Sequence, residues 1–194
     1  MKILGVIKNN RDSMDAHLNM EGGRVTQILT ELAPLTKHMS LKNRKEVIQS
    51  KAMSLLLYGA EFIPSQNEWT KGRFSVLMMR CNRSIYRKDW FKVSNRRICK
   101  DIGTDTPDQI VKKLTLRHFH KIIWNRTPLQ IYRRIRFNNN HRNCSKISLS
   151  YPPSKNVIKR TAIESGLELY NNLSVGLKSM HPRKLKEVLK TKSV

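Results

Sequence analysis

Acidic residues are scarce in this sequence, where 14 Asp and Glu stand against 38 Lys and Arg in 194 residues. The formal net charge is therefore +24. Charge of one sign repels itself and does not favour a compact fold, so it indicates a polyanionic partner. Nucleic acid is the leading candidate, and an anionic membrane surface is the second.

Long apolar runs and paired cysteines are missing as well. No run approaches the ~20 apolar residues that cross a bilayer, and the apolar start, Ile3 to Ile7, is too short for a secretory signal. Cys81, Cys99 and Cys144 lie far apart, and an odd number of cysteines without a disulfide framework is typical of reducing compartments. The sequence predicts an intracellular protein, nuclear or cytoplasmic, for which membrane binding is disfavoured.

Converging carboxylates are also missing. No two aspartates are adjacent, and the acidic cluster outside the first predicted helix consists of Asp101, Asp105 and Asp108. A two-metal polymerase or nuclease needs carboxylates that meet around its cations, whereas these lie across a helix end, a loop and a helix start. His118 and His120 fall on different sides of a helix, which does not suit the close ligand pairs of tetrahedral zinc sites. We therefore expect no catalytic residue, metal site or cofactor in this chain.

Helical periodicity is the main structural signal that the sequence does contain. The stretch 39–62 predicts one central helix, which begins after Ser40, a good N-cap, and ends at Gly59, which suits a left-handed residue. A preceding helix is predicted from residue 12 or 13 to about 32 and is ended by Pro34. The two form a helical hairpin. The apolar face of the central helix consists of Leu41, Ile48, Ala52, Leu55 and Leu56.

The next helix, predicted over 68–86, carries two different faces. Its apolar stripe consists of Phe74, Leu77, Cys81 and Ile85. Beside this stripe lies a row of arginines at spacings of seven, three and four, namely Arg73, Arg80, Arg83 and Arg87. Arginine suits bidentate contact with phosphate. Phosphate contact and an ordinary solvated face both remain open for this row.

Two capping boxes indicate further helices. Thr106-Pro107 and Thr127-Pro128, each followed two residues later by Gln, predict helices over about 107–125 and 128–137. The polar stretch 138–153 indicates a loop. Beyond it, helices are predicted up to about residue 173 and from residue 182.

The middle of the chain carries most of the charge. Residues 67–150 hold twenty Lys and Arg and five Asp and Glu, a net +15, and no acid occurs from 109 to 163. Further candidate nucleic-acid contacts are Arg96, Arg97, Lys112, Lys113, Arg117, Lys121, Arg133 and Arg134. Of the aromatic residues near arginines, we expect only Trp90 to be partly exposed.

The fold class predicted from these patterns is mainly α. A helical hairpin with one short N-terminal β-strand, at 2–8, is followed by a basic multi-helix region. We divide the chain into 1–66, the strand and hairpin; 67–150, the basic helical region that binds nucleic acid; and 151–194, a basic helical tail. Their net charges are +3, +15 and +6.

Three short motifs carry a family resemblance. They are Ile3-Leu4-Gly5-Val6-Ile7, His17-Leu18 and Leu57-Tyr58-Gly59. In this order and spacing, they resemble the segment that follows the polymerase palm in reverse transcriptases of non-LTR (LINE-like) retrotransposons. The resemblance covers about residues 1–62 and extends more weakly beyond them. The matching residues are Leu4, Gly5, Val6, His17, Leu57, Tyr58 and Gly59.

The resemblance implies a thumb that grips a template–primer duplex by its backbone. The implied partners are RNA or DNA, as a duplex or an RNA–DNA hybrid, and the palm itself. Since the palm's Tyr/Phe-x-Asp-Asp loop is absent, Mg²⁺ is expected only in the missing palm, and this fragment of an RNA-directed DNA polymerase is expected to be inactive alone. The alternatives are a free-standing basic helical RNA- or DNA-binding protein, and a decayed element fragment or interaction module without selected activity.

Overall fold

The computed structural model describes residues 2–3, 6–7, 14–87, 90–133, 135–137, 147–149 and 162–191. The protein is mainly α-helical, as predicted. It forms two compact units, residues 1–110 and 111–194. The boundaries that we placed after residues 66 and 150 differ from this division, because the helix over 68–86 packs against the first helix and so belongs to the first unit.

The elements follow one another mostly through short connections. The first unit contains β1 (Lys2–Ile3), β2 (Val6–Ile7), α1 (Asp15–Thr36), α2 (Leu41–Ile48), a π-helical turn (Gln49–Met53), α3 (Ser54–Leu57), a 3-10 turn (Ala60–Ser65), α4 (Glu68–Tyr86), a second 3-10 turn (Trp90–Lys92) and α5 (Asn95–Asp101). Helix α6 (Pro107–Asn125) begins in this unit and continues into the second, which adds α7 (Leu129–Tyr132), β3 (Ile135–Phe137), β4 (Ile147–Leu149), α8 (Ala162–Asn171), α9 (Val175–Lys178) and α10 (Pro182–Thr191). Among the described helices, none combines the length and the hydropathy that a bilayer-spanning segment needs.

The N-terminal strand differs from its prediction. Instead of one strand over 2–8, β1 and β2 pair with each other in antiparallel register, with Lys2 opposite Ile7 and Ile3 opposite Val6. A lone strand leaves its backbone donors and acceptors without partners, and folding back on itself supplies them locally. The prediction of a single strand was therefore wrong.

Helices α1 and α4 lie side by side and run in the same direction. The Met14 backbone N–H donates to the Gln66 side chain at 3.0 Å near their N-terminal ends. More than two turns further along α1, a Cβ placed on Gly22 would lie 3.1 Å from a methyl carbon of Leu77, so the glycine allows a close approach. Helix α1 extends past Pro34 to Thr36, because a proline in the last turn removes only one intrahelical hydrogen bond.

The central helix has the predicted ends but an unpredicted interior. The Ser40 hydroxyl accepts from the Asn43 N–H at 3.3 Å, and Gly59 has a φ of 78°. Between them, the π-helical turn Gln49–Met53 inserts an extra residue and changes which positions face inward. Met53 is thereby buried beside Ala52.

For one residue of the predicted apolar face of the central helix, the prediction of burial was wrong. Ile48, Ala52 and Leu56 are buried as predicted, but Leu41 is 46% exposed. It lies in the first turn of α2 and lines an open cleft with Lys37 and Tyr86, so part of its side chain stays in contact with solvent. Leu55 is half-buried.

Helix α4 was predicted with its correct bounds, Glu68–Tyr86, and its apolar stripe is confirmed. Phe74, Leu77, Cys81 and Ile85 are all buried. Burial raises the pKa of the Cys81 thiol to about 12. The remaining core of this unit comes mainly from α1 and the central helix, including Leu18, Val25, Ile48, Ala52 and Leu56.

The second unit confirms one predicted helix and corrects another. The capping box at the start of α6 is present, since the Thr106 N–H donates to Gln109 Oε1 at 3.0 Å. The helix predicted over 128–137 ends at Tyr132, and the chain continues as β3, which pairs antiparallel with β4. The predicted loop 138–153 therefore contains a strand. A β-hairpin suits the β-branched and aromatic residues of 135–137 once a partner strand is available.

The core of the second unit is formed by side chains of α6, β3, α8 and α10. These residues are Leu116, Phe119, Ile122, Ile135, Tyr170, Leu185 and Leu189. Gly166 of α8 lies against the Phe119 side chain, where an added Cβ would be 2.8 Å from the Cβ of Phe119. The glycine thus sets the distance between α6 and α8.

Candidate nucleic-acid interface

One side of α4, together with the residue that follows its last turn, carries a row of six side chains, which we call the α4 stripe; four of them are exposed, and Arg73 and Arg83 are half-buried. Successive members are separated by four, three, four, three and four residues, so all of them lie on one side of the helix. The members are Trp69, Arg73, Val76, Arg80, Arg83 and Arg87. The row contains all four arginines that the sequence singled out, together with two apolar residues that it did not.

Three arginines of the α4 stripe line one cleft of about 470 Å³. Arg80, Arg83 and Arg87 lie on the α4 side, with Ser84 between them. The other side is mostly apolar and consists of Leu29, Leu32, Ala33, Thr36 and Ile48. We call this the α1–α4 cleft. Its shape places three cationic groups along one wall and leaves the opposite wall almost uncharged.

Neutral oxygen atoms hold two of these arginines in place. Arg80 Nη1 donates to the Thr26 hydroxyl at 2.7 Å, and Arg83 Nη2 donates to the Asn95 amide oxygen at 3.0 Å. Within the part of the chain that the structure describes, no carboxylate forms an ion pair with Arg80 or Arg87. Because the Thr26 hydroxyl is uncharged, it orients the Arg80 guanidinium group without cancelling its charge.

Arg87 occupies an unusual backbone position at the end of α4. Its φ is 65°, in the left-handed region, and its N–H donates to the Arg83 carbonyl at 2.9 Å. The side chain also lines a second cleft of about 670 Å³, together with Lys37, Leu41, Arg44, Tyr86, Asp101 and Ile102. Arg87 therefore belongs to both clefts. A non-glycine residue held in this conformation costs free energy, which is often retained at functional sites.

Two cations of α2 have a structural role that the sequence analysis missed. Arg44 donates to three backbone carbonyls, those of Thr36 at 3.2 Å, Ile85 at 2.8 Å and Met39 at 2.9 Å. Lys45 Nζ donates to the carbonyls of residues 102 and 103 at 3.0 and 2.7 Å. The last carbonyls of a helix are otherwise unpaired and carry partial negative charge, so cations stabilise them.

The predicted contacts on α5 are exposed. Ser94 caps this short helix through the Arg97 N–H, and both Arg96 and Arg97 face solvent. The Arg97 Nε lies 3.8 Å from a carboxylate oxygen of Asp101. An exposed pair of this kind contributes little to stability, so both guanidinium groups remain accessible to an anionic partner.

The predicted contacts on α6 do not form a single row. Lys112 and Lys121 are exposed but lie on opposite sides of the helix, since nine residues at about 100° each turn through two and a half circles. Lys113 is only 7% exposed, and burial lowers the pKa of the half-buried Arg117. Beyond α6, Arg133 is exposed, whereas Arg134 lies outside the described residues.

Two of the family-matching motifs meet in the first unit. His17 is buried on α1, and its ring centroid lies 6.5 Å from that of Tyr58, at an angle of 60°. Gly59 follows in its left-handed conformation, and Leu57 is half-buried. Of the third motif, Val6 lies in β2, while Leu4 and Gly5 are outside the described residues.

The histidines of α6 lie on different sides of the helix. His118 is exposed, while His120 is buried and its Nε2 donates to the Met180 carbonyl at 2.9 Å. Burial lowers the pKa of His120, and the nearby His181 acts in the same direction. In the described ranges, no group of three or more His, Cys, Asp or Glu side chains is arranged to hold a metal ion.

The exposure of the aromatic residues differs from what we expected. Trp69 is 56% exposed and Trp124 is 43% exposed, although only Trp90 was predicted to face solvent. The side chain of Trp90 lies outside the described set. A tryptophan among arginines on a helix has no sequence signal that separates an exposed position from one at the edge of the core.

Comparisons with protein-family models, with curated proteins and with solved structures found no match to this chain.

Proposed function

We propose that this protein binds RNA or DNA through the phosphate backbone, and that the first unit does so with the α4 stripe and the α1–α4 cleft. The observation that carries the proposal is the set of three arginines, Arg80, Arg83 and Arg87, on one wall of a single cleft. The hydroxyl that accepts from Arg80 is neutral, and no carboxylate within the described residues forms an ion pair with Arg80 or Arg87, so the charge of these two arginines is available to phosphate. The exposed Arg96 and Arg97 follow Asn95 on α5, whose amide oxygen accepts from Arg83.

We also propose a role for this binding within a larger activity. The order and spacing of the three motifs support a segment like the one after the palm of LINE-like reverse transcriptases, and the contact between His17 and Tyr58 is consistent with two motifs serving one packed site. In this proposal, the palm supplies the metal-binding carboxylates, so the isolated chain incorporates no nucleotides with Mg²⁺ or Mn²⁺.

A free-standing basic RNA- or DNA-binding protein is the alternative. A reading frame upstream that encodes an Asp-Asp loop favours the first, and template-dependent extension by the pure chain contradicts it.

The salt dependence of binding tests the phosphate contacts. The full chain is titrated with a labelled RNA–DNA hybrid and a DNA duplex, and the logarithm of the association constant is plotted against the logarithm of the salt concentration. Each phosphate contact releases counterions, so the double variant Arg80→Gln/Arg87→Gln should lower the slope by about two, or slightly less. Little sequence preference is expected, because phosphate contacts carry no sequence information.

A matched variant separates these contacts from net charge. Lys42→Gln/Lys51→Gln removes the same charge from two exposed positions that line neither cleft, and it should leave the slope nearly unchanged. Circular dichroism melts establish that both variants remain folded. If the two double variants behave alike, or if the arginine variant leaves affinity and slope unchanged, the α4 stripe is an ordinary solvated face.

A further inference from the structure

The N-terminal half of the α4 stripe is chemically different from the cleft-lining half. Trp69 is 56% exposed, and the guanidinium carbon of Arg73 lies over its ring at 5.4 Å from the centroid. Val76, one turn further along, is 58% exposed. A guanidinium over an indole restrains the ring through a cation–π contact. The stripe therefore begins with an oriented, accessible aromatic surface before it becomes a row of cations.

The two halves lie along one line. From Trp69 to Arg87 the helix advances by about 27 Å, at about 1.5 Å per residue. Arg80, Arg83 and Arg87 occupy the C-terminal half of this length, inside the α1–α4 cleft. A ligand that follows the stripe must therefore offer anionic groups at one end and a flat, apolar surface at the other.

We propose that the α4 stripe binds single-stranded nucleic acid, with an unpaired base stacked on Trp69 and phosphates further along the same strand on Arg80, Arg83 and Arg87. This inference rests on the proposed function and adds the kind of nucleic acid that the site prefers. An unstacked base has a free π-face, and stacking on an aromatic side chain tolerates any base. Within a duplex, each base face is covered by its neighbours, so a tryptophan on the side of a helix has nothing to stack on.

Other ligands fit this combination less well. An anionic membrane surface attracts cations and tryptophan together, but the three arginines line a cleft whose other wall is mostly apolar, and a cleft does not match a flat lipid surface. An acidic peptide offers charge, yet nothing in the cleft provides a strand edge for it to pair with. A single strand satisfies both halves of the stripe with one continuous chain.

Three oligonucleotides of equal length test the proposal: a mixed-sequence single strand, the same strand with abasic sites throughout, and a blunt duplex. Binding of the full chain is measured by fluorescence anisotropy of the labelled strand. Trp69→Ala should weaken binding of the mixed-sequence strand about tenfold, which corresponds to the lower part of the range for one stacked base. It should change binding of the abasic strand and the duplex little. Trp69→Phe should restore most of the affinity.

Phe91 provides the matched control. It is 68% exposed, and Lys92 Nζ lies over its ring at 5.5 Å, but it lies outside the stripe. Phe91→Ala should leave all three affinities unchanged. The salt slope of Trp69→Ala should equal that of the parent protein, because no phosphate contact is removed.

The outcomes separate this inference from the proposed function. If Arg80→Gln/Arg87→Gln lowers the salt slope but Trp69→Ala leaves single-strand affinity unchanged, phosphate binding stands and base stacking is overturned. Equal losses on the mixed-sequence and abasic strands, or an equal loss for Phe91→Ala, overturn stacking as well. If Trp69→Ala instead reduces binding only to vesicles that contain anionic lipid, the stripe is a membrane-binding surface. If neither variant affects any oligonucleotide, both proposals fail.

Discussion

Helices α4 and α6 are the same length, 19 residues, yet they use their basic residues in different ways. Each is followed by an arginine in the left-handed conformation, Arg87 at φ 65° and Arg126 at φ 57°. On α4 the arginines follow one line beside the core and three of them face a cleft. On α6 the exposed lysines lie on opposite sides, and Arg126 lies over the Tyr132 ring at 5.9 Å.

The two helices differ in the placement of their basic residues and not in their number, which is four in each. A phosphate backbone offers charges along a line, so cations spaced by three and four residues on one exposed face can contact several phosphates together. Cations that are distributed around the helix cannot contact several phosphates of one strand together. A cation near the core also loses hydration, and this desolvation lowers the pKa of Arg117. The longest acid-free stretch of the sequence is therefore not its best candidate interface.

The apolar faces of the two helices should contribute about equally to stability, and truncating a phenylalanine on either face should have the largest effect of the changes considered. Phe74 and Phe119 are both 1% exposed, and replacing either with alanine should lower the free energy of unfolding by about 3–5 kcal/mol. Chemical denaturation followed by circular dichroism measures both. A loss under about 1 kcal/mol for one of them means that the corresponding helix is not anchored in a core.

Alanine substitution of the glycine that faces each helix, Gly22 beside α4 and Gly166 beside α6, should change stability by different amounts. Alanine at Gly166 places its Cβ 2.8 Å from the Cβ of Phe119, next to the backbone of α6, and should destabilise by about 1–3 kcal/mol. Alanine at Gly22 meets the end of the flexible Leu77 side chain at 3.1 Å, and the better helix propensity of alanine offsets the strain. We expect its effect to stay within about 1 kcal/mol of zero. Thermal melts that rank the two the other way would contradict the packing described for α6 and α8.

The salt dependence of binding should separate the cations of α4 from those of α6. Lys112→Gln/Lys121→Gln removes two charges from opposite sides of α6, which cannot both contact one strand, so the salt slope should fall by no more than about one. The arginine pair of α4 should lower it by about two, so that the loss of affinity between about 50 and about 200 mM salt becomes about 16-fold smaller than in the parent protein. Equal slopes for the two variants would show that total charge, and not its arrangement, determines binding.

The two arginines in the left-handed backbone conformation, Arg87 and Arg126, give the comparison with the smallest expected change in stability. Glycine adopts this conformation without strain, but it also raises the conformational entropy of the unfolded chain, which offsets part of the gain. Arg87→Gly and Arg126→Gly should therefore each raise the free energy of unfolding by about 0.5–1 kcal/mol. Only Arg87→Gly should weaken nucleic-acid binding. A variant that is more stable and binds less is hard to explain by damage to the fold. Loss of binding in Arg126→Gly of the same size would remove the distinction between the two helices.

The faces of α4 were predictable because both depend on a local period. The apolar stripe through Phe74 and Ile85 and the arginine row through Arg80 and Arg87 each follow from residues three and four apart, and the capping residue Asn67 accepts from the Thr70 N–H as local chemistry requires. Exposure of Trp69 was not predictable, because it depends on which neighbouring helices leave that side of α4 open.

Other features depend on partners that are distant in the sequence. The extra residue of the π-helical turn Gln49–Met53 has no compositional signal, and it is what brings Met53 into the core. Strand β3 exists because β4 pairs with it, which the capping box before it could not reveal. The sequence analysis assigned no role to Lys45, although its ammonium group contacts carbonyls more than fifty residues away.

The three hydrogen bonds of Arg44 link the ends of separate helices through one side chain. Its guanidinium group holds the carbonyls of Thr36 and Met39, at the end of α1 and just after it, and that of Ile85, near the end of α4. If the end of either helix frays, the Arg44 guanidinium loses a hydrogen bond and is held less firmly at the end of the other helix. The last turns of α1 and α4 should exchange their amide hydrogens as one cooperative unit, although some fifty residues separate them along the chain.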